Sequence, residues 1–145
     1  MFKHILIPTD GSSLSSSALD RGLALAKAMD AKVTVLHVTA PFHVVTTDSV
    51  ALSDTRVQYE RHVEAQARAI TGSAEASAKD KGVNARGIYV VAEHPYEAII
   101  KTAKEEGCDL ILMASHGWRG VKALLLGSET QKVLTHSAIP VLVYR

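Results

Sequence analysis

Between Asp109 and Ser137 an apolar run, Leu110-Ile111-Leu112-Met113, opens into Ala114-Ser115-His116-Gly117, and after nine intervening residues Gly127-Ser128 stands at the head of a short helical segment. A strand that ends in a small-residue turn and returns through Gly-Ser onto a helix start collects backbone N–H groups and a hydroxyl in one place. That is anion-binding chemistry. His116 has neither a visible nucleophile nor an orienting acid, so phosphate contact or a structural role outranks general-base chemistry. The segment reads first as a phosphate or nucleotide binder and second as an enzyme.

Other residues carry two readings each. Asp10, in Thr9-Asp10-Gly11-Ser12, is either a ligand contact or the first residue of an Asx turn. Arg119 and Lys122 either neutralise phosphate or are solvated loop cations. Trp118 covers a nucleotide, marks a protein contact or packs on the surface. Ser128 with Gln131 has capping-box spacing, which is compatible with phosphate binding.

Several signatures are absent. There is no G-x-x-x-x-G-K-[ST] and no G-x-G-x-x-G, and the serines at 12, 13, 15, 16 and 17 form no G-x-S-x-G elbow. The seven histidines show neither H-E-x-x-H nor Cys-His spacing, so no protein-held metal and no catalytic residue is expected.

The elements that must position these residues follow from periodicity. Apolar runs at 4–8, 32–39, 87–91, 110–113 and 140–144 predict five strands. Amphipathic stretches at about 13–29, 53–81, 95–106 and 128–136 predict four helices. Ser12 or Ser13 caps the first, which turns Ala18, Gly22, Leu25 and Met29 to one face. In the second, Tyr59, Val63, Ala67, Ile70, Ala74 and Ala78 recur at helical spacing. Gly82 and Gly107 close two helices, and Pro95 suits a first turn. The loop over 41–53 is either a flap or a disordered connection.

Strict alternation with strands apolar on both sides predicts a doubly wound five-stranded parallel sheet, order 3-2-1-4-5, with helices on both faces. Ligands in such sheets bind beyond the carboxyl ends of the strands where the winding reverses. That point brings Asp10 opposite the 114–128 segment.

Composition bounds the rest. With 145 residues, 47% hydrophobic and 21% charged, the chain fits one domain over 1–145. A formal net charge of +1 gives no case for nucleic acid or an anionic membrane. The apolar run after Met1-Phe2-Lys3-His4 is too short for a signal core or a span, so the expected address is cytoplasmic. Cys108 is the single cysteine, placed for packing and not redox work.

Together, Ile5-Leu6-Ile7-Pro8-Thr9-Asp10-Gly11-Ser12, Val35-Leu36-His37-Val38, Met113 to Gly117, Leu126-Gly127-Ser128 and Pro140 to Val143 resemble the single-domain universal stress proteins across nearly the whole chain. ATP-binding members carry Gly-x-x-Gly, nine residues, then Gly-Ser or Gly-Thr. Gly117, Gly127 and Ser128 match, and Ala114 replaces the first glycine. Alanine keeps the N–H; it is nearly harmless if the backbone there has negative φ and strained if it is left-handed.

The resemblance implies that Pro8, Thr9, Met113 and Ala114 belong to the cofactor-binding set, that Asp10 reaches the ribose or the adenine side and that Val38 lines the adenine pocket. It implies that Ser115, His116 and Gly117 hold phosphates and ribose from one side, and Gly127, Ser128 and Thr130 hold phosphates from the other. ATP, or AMP or ADP, is then the cofactor, with Mg²⁺ or Mn²⁺ carried on the phosphates. The implied role is a stress-response protein whose partner contacts depend on nucleotide, with slow hydrolysis at most. The resemblance also points to a homodimer through the C-terminal edge strand, Val141 to Tyr144, the alternative being a monomer whose edge Arg145 protects; an unidentified protein partner is compatible with that role. The alternative is a dimeric interaction module with no functional nucleotide.

Overall fold

A computed structural model of the chain describes residues 1–43, 49–117 and 126–145, the side chains of 49–52 apart. Strands β1 (His4–Pro8), β2 (Lys32–Thr39), β3 (Ala85–Val91), β4 (Leu110–Ala114) and β5 (Val141–Tyr144) alternate with helices α1 (Ser13–Met29), α2 (Ser49–Asp80), α3 (Pro95–Glu105) and α4 (Ser128–His136). All strand pairs are parallel, in the order β3-β2-β1-β4-β5.

Two apolar layers explain why the strands read as unbroken runs. Side chains alternate across a sheet, and here both faces are covered. Ile5, Ile7, Val33, Val35, Leu110 and Leu112 pack with Leu19, Leu23 and Ala26 of α1 and Ala74 and Ala78 of α2. Leu6, Leu36, Ile111 and Met113 pack with Ile99 and Ala103 of α3 and Val133 of α4. Cys108 belongs to the second layer, where burial, with Glu106 and Asp109 nearby, pushes its thiol up to about 11. It stays protonated at neutral pH and fills space.

The departures from expectation are local. In α1 the buried stripe is Ser15, Ala18, Leu19, Gly22, Leu23 and Ala26, and Leu25 and Met29 sit half-buried at its rim. A helix laid against β1 and β4 buries a band wider than one row of i, i+4 neighbours. Helix α2 begins at Ser49, ahead of the expected 53, because the helix formers Ala51 and Leu52 extend it beyond its amphipathic part. Strand β3 starts at Ala85, which pairs with Val33. The expected flap over 41–53 falls partly on 44–48, outside the described residues.

Candidate functional site

Strand β1 lies between β2 and β4, so its carboxyl end is where the winding reverses. The loops after β1 and β4 diverge there and leave a cleft. The first loop is locally determined. Ser12 caps α1, accepting from the Ser15 amide at 3.2 Å. Asp10 Oδ1 accepts the Ser12 amide at 2.9 Å, an Asx turn. Thr9 Oγ1 pairs with Ser15 Oγ at 3.0 Å. The Thr9 carbonyl accepts from His37 Nδ1 at 2.9 Å, which fixes that ring's tautomer.

The second loop is braced from below. The Ser115 amide donates to the Tyr144 carbonyl at 2.7 Å, and the Ser115 carbonyl accepts the Gly127 amide at 2.7 Å. Thr130 Oγ1 donates to the Ala114 carbonyl at 3.0 Å. These bonds lock the start of α4 against the end of β4. Gly127 is the N-cap of α4, without a side-chain cap bond, so Ser128 is its first helical residue. The expected Ser128–Gln131 capping box does not form; Gln131 Nε2 donates instead to the Leu126 carbonyl at 2.9 Å. The Gly127 amide is also engaged. The first-turn amides of Ser128 to Thr130 have no acceptor within the helix, and Glu129 and Thr130 of that turn line the cleft.

Two glycines owe their identity to close neighbours. A Cβ on Gly117 would collide with Asp10 Oδ2, and one on Gly127 would lie 3.2 Å from both His116 Cα and the Ser115 carbonyl oxygen. Ala114 sits in β4, buried, with no positive φ. Alanine carries no backbone strain there.

The cleft has a volume of about 210 Å³. Nine of the twelve expected residues line it: Pro8, Thr9, Asp10, Val38, Met113, Ala114, His116, Gly117 and Thr130. Ser115 is buried behind it, with Oγ 3.2 Å from His116 Nδ1. Gly127 forms its supporting floor, and Ser128 is exposed at the helix start. Trp118, Arg119 and Lys122 lie outside the described residues.

Ser15, Leu36, Pro95, Ile99 and Glu129 complete the lining, and sequence reasoning missed them. Leu36 was signalled by sharing a strand face with Val38, and Ile99 by following Pro95 at helical spacing. Glu129 had only its place in a helix first turn. Its Oε2 accepts the Tyr96 amide at 2.8 Å, and Lys132 Nζ stands 3.4 Å from Oε1. It thus supplies the N-terminus of α3 with the cap that His94 does not.

The cleft is apolar on one side, through Leu36, Val38, Pro95, Ile99 and Met113, and polar on the other. A flat ring fits the first side, and the first-turn amides of α4, which lack acceptors within the helix, favour with the helix dipole an anion on the second. Among the described residues no group of three His, Cys, Asp or Glu could hold a metal ion. A larger hollow of about 570 Å³ lies at the β3 edge beside Phe42, Tyr59 and Tyr89.

A doubly wound sheet with this strand order and a Gly-Ser helix start facing the β1 tip defines a recognisable class. The universal stress protein family model matches residues 1–145, and the chain belongs to that family. The universal stress protein YxiE of Bacillus subtilis is 37% identical over the full length of both chains. Universal stress protein MJ0577 of Methanocaldococcus jannaschii is 33% identical over 100% of this chain and 96% of its own. Its solved structure superposes with a TM-score of 0.82, covering 99% of this chain and 95% of that one. A universal stress protein crystallised in complex with cAMP superposes with a TM-score of 0.72 at 26% identity, covering 99% of this chain and 97% of that one. Among the described residues no helix is long and apolar enough to cross a membrane.

Proposed function

We propose that the cleft binds ATP or a related adenine nucleotide, and that occupancy alters the protein's contacts with its partners. One observation carries the reading: an apolar slot and the first turn of α4, whose amides have no acceptor within the helix, converge at the point where the sheet's winding reverses. The base lies against Leu36, Val38 and Met113, Asp10 faces the ribose, and the phosphates meet the amides of Ser128 to Thr130. The related protein bound to cAMP supports an adenine compound as the ligand class. Mg²⁺ or Mn²⁺ arrives on the phosphates, with Asp10 and Glu129 the nearest described carboxylates.

Turnover is not the main role in this reading. Fast hydrolysis needs a positioned base, and His116 is paired with its own neighbour Ser115. The protein works in the cytoplasm as a homodimer joined through β5, an edge strand whose Leu142 is 41% exposed. A second reading, an interaction module without functional nucleotide, draws on one observation: the described lining contains two carboxylates and no Lys or Arg. Calorimetric titration with ATP separates the two. Saturable heat, with a melting point raised by ATP and not by inorganic phosphate, supports the binder, and silence at millimolar ATP supports the module.

A further inference from the structure

We infer that Glu129 is a positioning residue for the cleft: through its bond to the Tyr96 amide it ties the first turn of α4 to the first turn of α3, and so holds the apolar wall carried by Pro95 and Ile99 at the spacing that grips a base. That role rests on the nucleotide reading of the cleft and adds how its two walls are kept in register. Pro95 and Ile99 of α3 line the apolar side, and Glu129 and Thr130 of α4 line the cleft as well.

The start of α3 has no side-chain cap of its own. His94, its N-cap residue, makes no such bond, and Pro95 brings no N–H. The Tyr96 amide is met instead from another helix, by Glu129 Oε2 at 2.8 Å. That turn of α4 is in turn fixed to the end of β4, because Thr130 Oγ1 donates to the Ala114 carbonyl at 3.0 Å and the Gly127 amide to the Ser115 carbonyl at 2.7 Å. The contacts therefore run from β4 through α4 to α3. Further along α4, the His136 ring lies 5.4 Å from the Tyr96 ring between centroids, and Lys132 Nζ stands 5.5 Å from the centre of the Tyr96 ring. Those contacts hold the Tyr96 side chain. The carboxylate holds the backbone at the end of α3 that lines the cleft. Without this tie the wall samples other spacings, and apparent affinity falls with the fraction of molecules that hold the competent one.

Adenosine is the probe, because it is uncharged and its affinity reports the wall and not the charges at the phosphate end. Titration calorimetry is expected to give about tenfold weaker adenosine binding in Glu129→Ala, the scale of one hydrogen bond to a charged group. Glu129→Gln, whose amide oxygen still accepts from Tyr96, is expected to recover to within about twofold of wild type. Lys132→Gln removes the 3.4 Å ion pair to Oε1, leaves the Tyr96 bond, and is expected to bind as wild type does. Adding His94→Ser to Glu129→Ala gives α3 a cap of its own. The melting temperature is then expected to return while the loss of affinity stays, which separates a tie between helices from a cap that only stabilises. The double variant also carries the comparison if Glu129→Ala alone does not fold. Affinity recovered together with melting temperature in the double variant, wild-type affinity in Glu129→Ala, or an equal loss in Glu129→Gln or Lys132→Gln would overturn the role of Glu129 and leave the nucleotide site standing. A wild type that binds ATP but not adenosine would overturn it too. A wild type that gives no heat with adenosine or ATP would overturn the nucleotide reading itself.

Discussion

Gly127 owes its identity to a tight neighbour and not to an unusual backbone angle. Its φ is −61°, so any residue could adopt the conformation, but the backbone of 115–116 leaves no room for a branched side chain. Gly127→Val is expected to push the first turn of α4 off the β4 loop and abolish the rise in melting temperature that the proposed ATP binding would give, while the circular dichroism stays native. An undiminished rise would refute the placement. At the far end of β1, His4 donates or accepts at Thr34 Oγ1 over 2.8 Å, and its Nδ1 is buried without a partner. Burial, helped by Lys32, lowers its pKa below the ordinary 6.5. The unfolded chain then takes up the proton first, so stability holds above 6.5 and declines as pH falls below it. Urea midpoints at about pH 7.5 and about pH 5 should differ less in His4→Gln than in wild type. Motif spacing singled out Gly117 and Gly127 as candidates. It could not reveal that the collision partner of Gly117 is Asp10, more than a hundred positions away.

Helix ends determine where the cleft residues point. Ser12 closes the first turn of α1 and so sets the Thr9–Asp10 loop; Ser12→Ala is expected to cost about 1 kcal/mol. That is a fall of about 2–5 °C in melting temperature by calorimetry. Because Ser12 is not among the residues lining the cleft, phosphate contacts should survive the change. The element pattern was largely readable, since buried parallel strands and capped amphipathic helices leave strong local signals in Ile5-Leu6-Ile7, Pro95 and Gly107. Helix packing was less so. The α1 stripe depends on its angle across β1 and β4, and the bond between Glu129 and Tyr96 joins residues whose meeting only the tertiary fold decides. Ser128 illustrates the same limit: a Ser-x-x-Gln spacing says capping box, yet the Gly127 amide is drawn to the Ser115 carbonyl and the helix starts one residue earlier, with Gly127 as its N-cap.

At the scale of the molecule, strand order and ligand cleft follow together from the alternation of elements, because a reversal at β1 places the β1 and β4 loops side by side. Assembly is tested at the edges of the sheet. In the dimer proposed through β5, Leu142→Lys should place charge on the pairing strand and convert the protein to monomers, as read by light scattering. An unchanged mass would move the interface elsewhere. The opposite edge is built differently. At Gly87 in β3 the outward amide donates to Glu75 Oε1 from α2, at 2.5 Å, and Arg86 is tied to Glu106. α2 passes so near that a Cβ on Gly87 would lie 2.7 Å from Thr71 Cβ. If the dimer forms through β5, the Gly87 amide already paired to Glu75 on the opposite border hinders a third copy from adding to β3 at that point.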